Sequence, residues 1–151
     1  MSCCDSNTQK ERIEFVCPKC SQMGSSVEII TLRSLLHDKV QMNIIENAHY
    51  KYCKTSDCDV SYYFKNSYFK IKDLKVKATH KNQDLNVFVC YCFKYTRESI
   101  LNDIKTNGGT NALKDIKKKM KNPGCFCEKS NPQGNCCLGN VTAWINQVKA
   151  N

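Results

Sequence analysis

The sequence predicts an α+β protein built from two small halves, each tied by its own metal centre. Three observations carry this. The chain holds 12 cysteines in 151 residues, several times the ordinary share. They come in pairs at 3/4, 17/20, 53/58, 90/92, 125/127 and 136/137. Strand-like aromatic runs dominate the first half, and amphipathic helical runs dominate the second.

The start of the chain, MSCCDSNTQKERIEF, lacks the apolar stretch of a secretory leader. No apolar run nears the roughly 18–20 residues of a membrane span. The expectation is a cytoplasmic protein without membrane insertion, where thiols stay reduced and dense cysteine signals metal. The formal charge of +9 counts every thiol as neutral. Metal ligands are thiolates, so two filled four-thiolate centres would lower it to about +5. Cys3 and Cys4 lie in a polar N-terminal stretch and are expected to hold nothing permanently. The alternative for them is an exposed soft-metal site or a redox cap.

The first pair to carry chemistry is in FVCPKCSQMG. Thiols at i and i+3 of a tight turn can hold one ion, and Pro18 pre-sets that turn. Backbone N–H groups after the first cysteine can donate to the sulfurs. A redox dithiol is the competing reading, but such motifs open a long helix, and this one runs into a Gly-Ser turn. Next, VEII reads as a strand. Thr31 then reads as the cap of a short helix carrying Leu32, Leu35 and Leu36 on one side. In YKYCKTSDCDVSYYF, Cys53 and Cys58 bracket a polar turn between two aromatic strands. Two cysteine turns closing on one ion make a tetrahedral zinc site of Cys17, Cys20, Cys53 and Cys58. His37 and His49 could each replace a ligand, but four thiols already suffice.

Residues 65 to 86 contain no cysteine and seven basic side chains, counting His80. FKIKDLKVKA alternates, so an exposed strand is expected there, its lysines solvated and blunting a sheet edge. His80 is expected on the surface.

LNVFVCYCF reads as a strand running into a helix, YTRESILNDIKTNGG. Thr96 caps that helix, Ile100, Leu101 and Ile104 form its stripe, and Gly108 and Gly109 end it. TNALKDIKKKMKNPG is a second helix whose lysines face outward. A turn-rich loop with four cysteines follows. VTAWINQVK closes as an amphipathic helix with Trp144 as a core anchor. Cys90 and Cys92 therefore fall where a strand gives way to a helix. Helix N-termini offer unpaired N–H groups and positive partial charge, which favour an anionic thiolate cluster. A second zinc is the rival reading.

CYCFKYTRESI, then two helices, then CFCEKSNPQGNCCLGNV resembles the 2Fe–2S part of the N-terminal domain of CopZ-type copper chaperones. That part is similar to bacterioferritin-associated ferredoxin-like domains. The stretch from CPKC to YCKTSDCDVSYY resembles the zinc-binding part of the same domain. The likeness runs from about residue 15 to 150. It implies one zinc, one 2Fe–2S cluster and a redox role beside copper transfer. The expected architecture is a zinc-ribbon or treble-clef-like subdomain over 1–84 and a helical 2Fe–2S subdomain over 85–151. Cys90 and Cys92 match the family's first ligand pair. Family-like spacing assigns Cys127 and Cys137 as the second, leaving Cys125 and Cys136 as spare thiols for ligand swapping or transient Cu⁺. Family chaperones usually continue into a heavy-metal domain with a G-M-T-C-x-x-C loop, which the sequence to Asn151 lacks. A separate chaperone would then supply the transfer site.

The expected function is electron transfer coupled to copper handling, at most a cupric reductase-like activity, with a redox or copper-trafficking protein as partner. The alternative is a non-enzymatic redox or metal sensor acting through a partner. A zinc-ribbon nucleic-acid binder ranks last, because basic residues and aromatics do not interleave on a stacking platform. No hydrolase constellation or phosphate loop is present.

Overall fold

The computed structural model describes residues 15–150, so Cys3 and Cys4 lie outside the described residues. Its mixed helix and sheet architecture is of the expected α+β class. Strands β1 (Ser25–Ser26), β2 (Lys51–Tyr52), β3 (Val60–Phe64) and β4 (Ser67–Lys70) form one antiparallel sheet in the order β1-β2-β3-β4. Strands β5 (Phe88–Cys90) and β6 (Tyr95–Thr96) make a separate hairpin. The helices are α1 (Ile29–Leu35), α2 (Arg97–Asn107), α3 (Ala112–Lys119), α4 (Cys127–Ser130) and α5 (Leu138–Ala150).

β3 is buried on both faces, and a register shift between Val60 and Tyr63 explains how. The shift turns Val60 and Tyr63 toward Cys17 and Cys53. Tyr62 faces the other way, into a core with Leu32, Leu36, Tyr50, Tyr52 and Phe69. Ser61, fully buried at the shift, donates its hydroxyl to the Lys70 carbonyl at 3.0 Å. Its polar atom therefore stays satisfied where the ladder is broken.

Two local expectations are corrected here. VEII is not a strand: the helix begins at Ile29, with Glu28 at its N-cap and no side-chain cap bond. Thr31 lies inside that helix, buried, and donates to the Glu128 carbonyl at 2.6 Å. The leucine stripe docked on the tyrosine core outweighs the β-branched residues' weak helix propensity. The alternating FKIKDLKVKA is strand only to Lys70. The Asp73 carboxylate accepts the Lys70 N–H at 2.9 Å and turns the chain into a 3₁₀ turn over Ile71–Asp73. Leu74 and Ala78 then enter the core.

The second half follows its sequence signals more closely. Thr96 caps α2: the Ser99 N–H donates to its hydroxyl oxygen, and Ser99 answers with an acceptor for the Thr96 N–H, both at 3.0 Å. Gly108 ends α2 at φ +74°, left-handed backbone that glycine adopts without strain. α2, α3 and α5 pack around Val89, Ile100, Ile116, Val141 and Ile145. No helix among the described residues is long and apolar enough to cross a membrane.

The halves meet through hydrogen bonds as well as packing. The Tyr62 hydroxyl, fully buried, donates to the Pro132 carbonyl at 2.5 Å. The Arg97 guanidinium reaches back to the carbonyls of Thr79, Asn82 and Asp84.

Candidate metal centres

Cys17 and Cys20 sit in a tight turn after Val16, whose bridge to Met23 closes it. The Ser21 N–H donates to the Cys17 carbonyl at 2.9 Å, and Ser21 takes a positive φ of 60°. Cys53 follows β2, its N–H bonded to the Ser61 carbonyl at 2.9 Å, and Cys58 precedes β3. The two turns face each other, and all four sulfurs lie within 4.8 Å of one another. Cys17 and Cys58 are 3.8 Å apart and Cys20 and Cys53 3.7 Å. A tetrahedron with metal–sulfur bonds near 2.3 Å separates its sulfurs by roughly 3.8 Å, so the donor set fits zinc.

The surroundings of these thiols differ. Burial pushes Cys17 up to about 12, partly opposed by the backbone N–H groups of Cys20 and Lys19. Burial also acts on Cys20. It is outweighed by hydrogen bonds with Thr55, the Gln22 backbone and the neighbouring thiols, which bring Cys20 down to about 7. The Lys81 ammonium is 3.2 Å from the Cys53 sulfur and 3.0 Å from the Cys58 carbonyl, and it also donates to the Thr55 carbonyl. Nothing in the spacing marked Lys81, one lysine among many in a cysteine-free stretch.

Cys90, Cys92, Cys127 and Cys137 come together from a hairpin turn, the start of α4 and the residue before α5. Cys90, Cys127 and Cys137 are buried and Cys92 is half-buried. The contacts cross between pairs. Cys92 lies 3.4 Å from Cys127, and Cys137 hydrogen-bonds both Cys127 and Cys90. Cys137 holds its proton strongly, because the thiols of Cys127 and Cys90 are its partners. Those same bonds lower Cys127 to about 6 and Cys90 to about 7, against the opposing effect of burial. Burial raises Cys92 to about 11, although Ser130 and the Phe126 N–H donate to its sulfur. This set is more extended than the first. Among the described residues, only the first four thiols form a cage within 4.8 Å.

One sequence expectation changes at this site. Cys90 and Cys92 do not open a helix: they lie at the turn between β5 and β6, and α2 starts only at Arg97. Cys137 does stand at the start of α5, its carbonyl accepting the Val141 N–H at 3.0 Å. Cys125 and Cys136 are exposed, on either side of exposed loop residues that include Phe126.

His37 and His49 are not part of the four-cysteine cage. His80 is half-buried rather than exposed, 5.8 Å from the Tyr52 ring. Burial, then Lys54, Lys81 and Arg97, lowers its pKa. Trp144 is half-buried, donates to the Arg97 carbonyl at 2.9 Å and lies 5.7 Å from its guanidinium.

Residues 14–75 match the family model zf_CopZ, described as a zinc binding domain. The copper chaperone CopZ of Archaeoglobus fulgidus is 27% identical over 121 residues, covering 80% of this chain. The chain spans 57% of that relative's length. The X-ray structure of the Archaeoglobus fulgidus CopZ N-terminal domain superposes with a TM-score of 0.71 at 24% identity, covering 85% of this chain and 95% of the other. The chain thus has the fold of a CopZ N-terminal domain, and its residues 14–75 are similar to a zinc binding domain.

Proposed function

We propose that this protein is a zinc- and 2Fe–2S-containing redox protein of copper handling. In this reading Cys17, Cys20, Cys53 and Cys58 hold a closed structural zinc in a subdomain spanning 1–84. Cys90, Cys92, Cys127 and Cys137 hold the cluster in a helical subdomain spanning 85–151. When bound, such a cluster supplies one-electron chemistry. The residues around it bury the sulfurs, donate N–H groups to them and leave Cys125 and Cys136 accessible. Those two thiols suit transient Cu⁺, a soft ion. Reduction of Cu²⁺ for delivery to a copper-trafficking partner in the cytoplasm is the activity this arrangement supports best.

The observation that carries the reading is the difference in shape between the two thiol sets. One is a compact cage of single-ion size, and the other is extended. Freshly purified protein should be red-brown and contain near-stoichiometric zinc with about two irons and two sulfides. A colourless protein holding two zincs after anaerobic reconstitution would overturn it. A sensor acting through a partner is the second reading, favoured by exposed Phe126 beside the cysteine loop. A cluster that never reduces Cu²⁺ under reducing conditions would select it.

A further inference from the structure

The 3₁₀ turn Thr79–Lys81 crosses from the first half to the second and is gripped from both sides. On the cluster side, Arg97 donates to the carbonyls of Thr79 and Asn82, and the Thr79 hydroxyl donates to the Phe88 carbonyl at 2.7 Å. On the other side, Lys81 reaches into the cysteine cage. An ammonium has three N–H donors. Here the Cys53 sulfur, the Thr55 carbonyl and the Cys58 carbonyl supply three acceptors. The lysine is thus fully committed to one loop, and one of its donors points at a thiol.

We infer that Lys81 is a positioning residue of the metal centre: it donates to the metal-bound Cys53 thiolate and tempers that sulfur's electron donation. This rests on the zinc reading above. A four-thiolate zinc site carries excess negative charge, and Lys81 brings a cationic donor to one of its sulfurs. A charge-assisted N–H···S bond withdraws electron density from a thiolate and makes it a weaker base and nucleophile. The same bond pins the Cys53–Cys58 loop to the crossing turn. Metal retention thereby depends on a residue well outside the ligand motif.

The test compares the full chain with Lys81→Met, which keeps length and packing but no donor, and Lys81→Arg, which keeps charge and donors. Lys75→Met is the control, its ammonium lying 3.7 Å from Asp38 on the surface. Co²⁺ loaded into the first site reports on the sulfurs through its thiolate charge-transfer band. Lys81→Met should move that band to lower energy and give up metal to a competing chelator about tenfold faster. Lys81→Arg should fall between it and the wild type, and Lys75→Met should match the wild type. An unchanged band and release rate in Lys81→Met overturn the inference alone. A wild-type protein with no four-thiolate Co²⁺ spectrum overturns the zinc reading with it. Should Lys81→Met hold no metal, Lys81→Gln keeps a neutral donor, and a wild-type band in that variant would overturn the role of the charge.

Discussion

The two thiol sets hold the same four-cysteine count in opposite ways. The first is closed by two short turns on a β-sheet, with Tyr63 packed beside it and all four sulfurs within 4.8 Å of one another. The second is assembled from a hairpin turn and two helix starts, with sulfurs in crossed contact and two exposed cysteines next to it. Turns on a sheet fix sulfurs through backbone hydrogen bonds and leave no open position. Helix starts joined by a loop bring thiols together only when the loop is folded, and leave room beside them. The difference teaches that the first site is suited to stability and the second to chemistry with something arriving from outside.

The largest test of that contrast is Cys53→Ser. If the first site is a structural staple, the variant should lose cooperative folding of the first half, since zinc contributes of order 10 kcal/mol to small domains of this kind. Circular dichroism and zinc content would show it. A folded, zinc-free variant of normal thermal stability would break the comparison.

Next comes the second set. Serine at Cys90, Cys92, Cys127 or Cys137 should abolish or shift the visible absorption, while Cys125→Ser and Cys136→Ser should leave cluster absorption intact. Cys136→Ser should instead weaken Cu⁺ binding. Bleaching by Cys136→Ser but not by Cys137→Ser would reassign the last ligand.

A smaller effect probes the seam. Tyr62→Phe leaves the Pro132 carbonyl without its buried donor and should cost about 1–3 kcal/mol in denaturant unfolding. If the halves are one cooperative unit, sheet and helix signals should shift together.

The smallest concerns pH. His80 sits below its ordinary pKa, chiefly through burial. Between its folded pKa and the ordinary value near 6.5, the unfolded chain binds the extra proton. Stability is therefore complete above that value and falls as pH drops through the folded pKa. His80→Gln should flatten this part of the acid limb in zinc-loaded protein, read by thermal melts from pH 7.5 to 5.5.

Much of the first site was legible because its signals are local. A C-P-x-C turn and a second pair between aromatic strands need little else to declare a four-thiol cage. The capped start of α2 at Thr96 and its end at Gly108 were equally plain, since caps are local hydrogen-bond arrangements. VEII misled because β-branched residues favour strand in isolation, whereas here Leu32 and Leu36 dock on Tyr50 and Tyr52 and hold a helix. The lysine alternation after Phe69 misled because one carboxylate, Asp73, ends the strand early.

By itself, then, the sequence determined the spacing of the cysteine pairs and both ends of α2. These depend on spacing and on neighbours within a few residues. Only the tertiary structure decided which thiols touch, that Lys81 enters the cage, that Thr31 and Tyr62 stitch the halves together, and that Cys90 and Cys92 stand at a hairpin turn. Those contacts join residues 23 to 97 positions apart. Such pairs meet only when burial of the whole core outweighs the entropy of closing long loops, which no short stretch of sequence encodes.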